Sequence, residues 1–352
     1  MAIEFLDVPL SQLTTLKVGG TADRIVRVSS EDEAIELIAE CDQTGSDVLV
    51  LGGGSNVVCA DEHFTGTVVV MENRGIDWRS DVAQVSAGED WEEFVVSALQ
   101  RGHGAFTPLS GIPGSVGATP IQNIGAYGVE IADLISSVRV LDRKHLNVVD
   151  LVPDQCDFGY RTSIFKKQPG RYVVLSVTYL LDGAIDVFVG YEQLASVMKV
   201  NVGEKVDAHA VRESVLALRG LKSMVVNQED ADSNSTGSFF INPAVTRETA
   251  PEGCPQYALK DSDPRALTHV KLSAAWLIEN SGISKGFTLP DSDGVIRVSR
   301  NHSLAIANTD GGKTQSVIAL AGHMRQQVFD HFGIELEVEP VLVNCEMVAL
   351  TR

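Results

Sequence analysis

Basic residues are scarce: 28 Lys and Arg stand against 47 Asp and Glu in 352 residues, a formal net charge of −19. A field of that sign repels phosphate backbones and anionic headgroups, so neither nucleic acid nor a membrane surface is expected as a partner. Cysteine is also sparse. The five present (Cys41, Cys59, Cys156, Cys254, Cys345) are odd in number, scattered and never spaced as C-x-x-C. That excludes a disulfide framework and a zinc ribbon, and reduced thiols point to a cytoplasmic protein. No uncharged apolar run approaches the ~20 residues a bilayer crossing needs. The opening Met1-Ala2-Ile3-Glu4-Phe5-Leu6-Asp7 lacks the basic and apolar regions of a signal peptide.

What is present is an ordinary globular composition, 44% hydrophobic and 21% charged, with no internal repeat. At roughly 150 residues per domain the length predicts two or three domains. Helical spacing marks 31–43, 91–99, 211–220, 271–280 and 314–332, and strand patterns mark 47–51, 67–71, 83–87, 137–141, 146–151, 172–181, 303–307 and the closing 334–344. The alternation over the first ~70 residues reads as a small α/β unit, the stretch after it as strand-rich α+β, and the chemistry shifts again near Asp207.

Two glycine patterns imitate nucleotide loops. Ala307-Asn308-Thr309-Asp310-Gly311-Gly312-Lys313-Thr314 nearly fits G-x-x-x-x-G-K-[ST], but the first glycine is missing, so a plain turn before a helix is the better reading. Gly111-Ile112-Pro113-Gly114-Ser115-Val116-Gly117 lacks the preceding strand and the following acidic residue of a dinucleotide fold. Together, however, 52–56 and 111–128 offer small residues and backbone donors with almost no acidity. They suit a cradle for a pyrophosphate and a flat ring, or else a set of tight turns.

Seven motifs in order carry a resemblance. They are Leu16-Lys17-Val18-Gly19-Gly20, Gly52-Gly53-Gly54-Ser55-Asn56, Gly111 to Ala118, Gln122-Asn123-Ile124-Gly125-Ala126-Tyr127-Gly128, Tyr160-Arg161-Thr162-Ser163-Ile164-Phe165-Lys166, Gly237-Ser238-Phe239-Phe240-Ile241-Asn242-Pro243 and Lys271 to Ile278. Over nearly the whole chain the sequence resembles the UDP-N-acetylenolpyruvoylglucosamine reductase (MurB) family, in the subclass with a tyrosine loop. The resemblance implies an α+β protein with a vanillyl-alcohol-oxidase-like (PCMH-type) FAD-binding fold of two subdomains, 1–70 and 71–206. A substrate-binding α+β domain over 207–333 and a closing strand over 334–352 would complete it. It further implies FAD and NADPH as cofactors, a UDP-sugar as substrate, and a monomer.

Residue by residue, the resemblance assigns FAD binding to Leu51, Gly52, Gly53, Gly54, Ser55, Asn56, Val57, Gly111, Ile112, Gly114, Ser115, Gly117, Ala118, Asn123, Gly125, Ala126, Tyr127 and Gly128. Substrate binding falls to Tyr160, Lys166, Tyr191, Asn242 and Lys271, and catalysis to Arg161, Ser238 and Glu339. The chemistry suits these residue types, because hydride addition to a double bond beside a carboxylate builds an enolate that cations and hydrogen-bond donors must meet. Arg161 offers a fixed fork for the carboxylate. Ser238 matches the family's proton donor, and Glu339 would help polarise the intermediate. Ile241 and Ser303 depart from the family pattern, and 225–234 supplies no lysine for the substrate pyrophosphate. A flavoprotein oxidase would lack Ser238 or Arg161, and a silent UDP-sugar-binding protein would lose the FAD glycines; this sequence keeps both sets.

Overall fold

The computed structural model describes residues 3–5, 8–260, 263–290 and 292–351; Met1, Ala2, Leu6 and Asp7 of the opening stretch lie outside the described residues. Two units emerge. The first takes the described part of Met1–Val8 with Ala22–Gly54 and Phe64–Val225, and the second takes Pro9–Thr21, Ser55–His63 and the described part of Val226–Arg352.

In the first unit, the helix Glu31–Thr44 connects the strands Ala22–Val28 and Asp47–Leu51. Ser30 starts it by accepting a hydrogen bond from the Glu33 amide, and Gly45 ends it in the left-handed conformation (φ 70°). Its buried stripe, Ala34, Leu37, Ile38 and Cys41, follows the i, i+3, i+4, i+7 spacing of one helix face. Both strands pair in parallel with Phe64–Met71, giving a sheet ordered Ile3–Phe5, Ala22–Val28, Phe64–Met71, Asp47–Leu51. A second sheet is wholly antiparallel, ordered Asn147–Leu151, Ile135–Asp142, Tyr172–Leu180, Val82–Ser86, Ile76–Trp78. The core of the unit contains an aromatic cluster in which Phe94 lies 5.0 Å from both Phe106 and Tyr179, with Trp91 5.7 Å from Phe94. Burial on that scale is worth about 1.5–3 kcal/mol per side chain. Tyr179 satisfies its buried hydroxyl with Thr119 Oγ1 at 2.7 Å.

The helix Ala208–Gly220 belongs to the first unit. It buries Ala208, Val211, Val215 and Leu218 against Val187, Val189, Leu194 and Leu99. The change of chemistry near Asp207 therefore marks a helix N-cap, with the Asp207 carboxylate accepting from His209 and Ala210 amides, and the chain enters the second unit after Val225.

The second unit packs Phe239, Phe240, Leu272, Leu277 and Val298 against the helix Thr314–Phe332, which buries Val317, Leu320, Ala321, Met324 and Val328. The segment read as one helix over 271–280 is a strand, His269–Leu272, then a helix, Ala274–Asn280. Ser273 separates them: its hydroxyl accepts from the Trp276 amide and caps the helix, while Lys271 and Leu272 pair with Ala244 and Gln256. The 303–307 pattern becomes a strand only at Ile306–Asn308. The closing segment forms ladder bonds at Val341–Val343, parallel to Val57–Cys59, with an isolated bridge at Val338. Among the described residues no helix is long and apolar enough to cross a membrane.

The near-match to a phosphate loop is a plain turn. At the start of the helix Thr314–Phe332, the Thr314 and Gln315 amides donate to Asp61 Oδ1 and Oδ2 at 2.9 and 3.0 Å. The donors a phosphate would need are thus taken by a carboxylate of the protein itself. Asp61→Ala should release about 1–2 kcal/mol of that cap. Hydrogen exchange in the 314–320 amides should then quicken roughly tenfold, with Asp61→Asn in between; an unchanged exchange rate would show that the carboxylate contributes nothing.

Candidate active site

In the first unit, two glycine segments meet at the end of the strand Asp47–Leu51. A Cβ built on Gly53 would lie 2.7 Å from Gly114 Cα, and one built on Gly52 would strike the Ser115 hydroxyl. Only glycine allows that approach. The 114–116 side is held to the start of the helix Trp91–Gln100 by Trp91 N to Gly114 O (3.1 Å) and to the turn before it by Val116 N to Glu89 O (2.8 Å). Among the described residues no group accepts a hydrogen bond from the amides of Gly53, Gly54, Gly114 or Ser115. Other predicted donors are engaged within the protein: the Gly111 amide with Glu92 Oε2 at 2.6 Å, Gly117 with Ala87 O at 2.8 Å and Ala118 with Ser115 O at 3.0 Å. Leu51 is buried beneath the loop, and Ile112 packs on the core.

The same unit gathers Arg161, Asn123, Gly125, Tyr127, Gly128 and Tyr191. Tyr160 and Arg161 form the apex of a tight turn closed by reciprocal bonds between Gly159 and Thr162, at 3.0 and 3.2 Å. Arg161 takes a left-handed backbone (φ 53°), a conformation costing about 1–3 kcal/mol that persists only where the surroundings enforce it. The guanidinium supplies part of that enforcement, with Nη2 donating to Gly125 O at 2.5 Å and Nη1 to Asn123 O at 3.4 Å. Gly125 and Ala126 pair with Val129 and Glu130. Asn123 has its side chain engaged with Glu130, Gly159 O and the Ala132 amide, so it shapes this hairpin. Gly128 (φ 89°) lets the hairpin touch Gly190, since a Cβ there would sit 3.0 Å from the Gly190 carbonyl. That contact brings Tyr191 edge-on to Tyr127, centroids 5.8 Å apart at 85°. Burial raises the Tyr127 phenol, while the charge of Arg219 acts the other way. Lys166 Nζ reaches Arg161 O at 3.5 Å from the short helix Ile164–Lys167.

The second unit brings together Ser238 and Glu339. Phe240 bridges Val338 antiparallel, and the Glu339 amide donates to Phe239 O at 2.9 Å, so the two residues lie on neighbouring segments. Asn56 secures the Glu339 segment from the other side, with Nδ2 to Glu339 O at 3.4 Å and Asn56 O accepting from Val341 N at 2.9 Å. Gly237 (φ 72°) turns the chain into Ser238, whose half-buried hydroxyl makes no hydrogen bond with the described residues. The polar loop ahead of it is fixed by a buried ion pair, Arg297 Nη2 to Asp232 Oδ2 at 2.9 Å, which sequence reading missed because neither residue falls in a motif. Asn242 Oδ1 accepts from the Ala274 amide at 3.0 Å, a capping role, and Lys271 is half-buried on the strand His269–Leu272. Lys17 is exposed; its carbonyl, accepting from Asn308 Nδ2, is what the fold uses.

The glycine loops with unengaged amides lie within the span that a family profile for an FAD binding domain matches, which makes the chain a flavoprotein of the vanillyl-alcohol-oxidase-like (PCMH-type) fold. A family profile for an FAD binding domain matches residues 22–145, and one for the UDP-N-acetylenolpyruvoylglucosamine reductase C-terminal domain matches 228–343. The chain is 44% identical to UDP-N-acetylenolpyruvoylglucosamine reductase of Cutibacterium acnes over 96% of this chain and 90% of that one. It is 42% identical to the enzyme of the same name from Mycolicibacterium gilvum, over 97% and 96%. The crystal structure of the reductase (MurB) from Thermus caldophilus shares the fold, with TM-score 0.65 and 22% identity over 97% of this chain and 99% of that one. The chain belongs to the UDP-N-acetylenolpyruvoylglucosamine reductase family.

The residues fit FAD. The amides of Gly53, Gly54, Gly114 and Ser115 are unengaged, and neither 51–57 nor 111–128 contains Asp or Glu to repel a diphosphate. Gly52→Ala should drive the two loops apart and weaken FAD retention at least about tenfold, since seating a Cβ against packed atoms costs about 1–3 kcal/mol. Ser115→Ala in the same protein removes the struck hydroxyl and should restore part of the loss, read by flavin fluorescence on dilution. Full retention in the single variant would place the cofactor elsewhere.

Proposed function

We infer that the protein reduces the enolpyruvyl group of UDP-N-acetylenolpyruvoylglucosamine to UDP-N-acetylmuramate, with NADPH as reductant and FAD as the carrier, in peptidoglycan precursor synthesis. Bound FAD supplies the hydride chemistry. What this chain supplies is charge and a proton. The pairing of the Glu339 amide with Phe239 O, beside Ser238, carries the reading, because it joins two of the three predicted catalytic residues across a long stretch of sequence.

In this reading Arg161 meets the substrate carboxylate as enolate charge builds. Its two bonds to the 123–125 carbonyls hold the fork still beforehand, so little reorganisation is needed during reaction. Ser238 Oγ gives its proton to the α-carbon. A hydroxyl is a weak acid, but an enolate carbon is a strong base, and Ser238 has no competing protein acceptor among the described residues. Glu339 polarises the same region. Tyr191, packed on Tyr127, covers the sugar nucleotide, with Tyr160, Lys166, Asn242 and Lys271 lining its site. The 51–57 and 111–128 segments hold FAD in this reading. Five free cysteines are consistent with a reducing, cytoplasmic setting.

Ser238→Ala should leave flavin reduction by NADPH nearly intact and slow reoxidation by the enolpyruvyl substrate ~10²-fold or more, the usual effect of losing a general acid. Arg161→Ala should slow that same step and weaken substrate binding as well. Stopped-flow absorbance of each half-reaction separates them: reoxidation of Ser238→Ala at the wild-type rate would make Ser238 a turn residue.

A further inference from the structure

A buried cation that the reaction above leaves unused stands behind the glycine loop of the first unit. Arg219 lies in the last turn of the helix Ala208–Gly220. A Cβ built on Gly111 would come within 3.4 Å of Arg219 Nε, so guanidinium and glycine are in contact. Nη2 donates to Met224 O at 2.8 Å, while Nε is buried with no hydrogen-bond partner. The Glu92 carboxylate acts on this charge, but it is committed to Arg212 Nη2 and to the Gly111 amide. Among the described residues no carboxylate forms an ion pair with Arg219. Ser110, immediately before Gly111, is fully buried, and its Oγ also lacks a partner.

An unpaired guanidinium withdrawn from water is costly, and a helix C-terminus offsets only part of the cost. Arg219 Nε and Ser110 Oγ are thus both buried and without a partner next to Gly111, where the predicted FAD segment 111–118 begins. The Arg219 charge also acts on the Tyr127 phenol, in the second predicted FAD segment, 123–128.

We propose that Arg219 is the cation of the flavin cradle, held against Gly111 so that its charge stabilises the negative charge that two-electron reduction adds to FAD bound there. This rests on the reading that FAD occupies the cradle. Arg219 thereby sets the midpoint potential of the bound flavin and the ease with which NADPH reduces it. Arg161 and Ser238 act on the substrate instead.

The test compares wild type with Arg219→Met and Arg219→Lys, each purified with FAD. The flavin midpoint potential is read by equilibration with a redox dye, and the unfolding temperature is measured after FAD removal. Arg219→Met should lower the ratio of reduced to oxidised flavin at a fixed potential at least tenfold, about 30 mV for a two-electron couple. Arg219→Lys keeps the charge and should stay within about threefold of wild type in that ratio. An Arg219→Met potential equal to wild type, with only affinity or unfolding temperature lowered, would make Arg219 a structural helix cap and overturn the proposal. Arg219→Gln carries the same comparison if the Met variant does not fold. A wild-type protein that binds no FAD would sink the cofactor reading itself, a different outcome.

Discussion

The closeness of two backbones carries the rest of the structure. Gly53 and Gly114 approach so nearly that a Cβ on the first would lie 2.7 Å from the Cα of the second. In a chain of net charge −19, anionic cofactors and substrates have to be held by backbone donors and a few fixed cations rather than by a basic surface. The contact leaves the amides of Gly53, Gly54, Gly114 and Ser115 unengaged at the end of a βαβ unit. The aromatic cluster of Trp91, Phe94, Phe106 and Tyr179 keeps them there, because Trp91 itself donates to Gly114 O. Core packing and the proposed cofactor cradle are therefore one construction, and a loosened core should be felt first as lost flavin.

In the second unit the fixing contacts lie around Asn56. Asn56 fixes the segment bearing Glu339, and the Glu339 amide in turn pairs with the carbonyl beside Ser238. In the first unit Arg161 is held in a strained backbone by its own guanidinium, gripping the carbonyls of Asn123 and Gly125. Arg161 is thus held through two main-chain carbonyls, and the segments bearing Ser238 and Glu339 through a shared main-chain bond, the kind of fixing a preorganised site needs.

Much of this was legible in the sequence where a local rule governs. The helices 31–44, 91–100 and 314–332 stand within a residue or two of their expected limits, since apolar spacing and end residues such as Gly45 and Gly333 both mark them. Lys271–Asn280 misled because Ala, Trp, Leu and Ile repeat at helical spacing while Ser273, the cap, is a single polar residue inside the run. The closing segment alternates like a strand, yet its ladder stops where its partner does, at Val57–Cys59. The motifs marked these residues but not the contacts they make: Asn123 and Asn242 shape and cap, and Gly111 gives its amide to Glu92. Arg219 and the Asp232–Arg297 pair carry no periodicity or spacing that would single them out, because their roles exist only once distant segments meet.

One bound flavin passes reducing equivalents from NADPH to an enolpyruvyl UDP-sugar. An anaerobic titration of the purified holoprotein, followed in the visible spectrum, tests it most directly. One equivalent of NADPH should bleach the flavin, and one equivalent of UDP-N-acetylenolpyruvoylglucosamine should restore the colour while forming UDP-N-acetylmuramate. A bleached flavin that stays bleached when the sugar nucleotide is added, or colour returning without that product, would contradict the account.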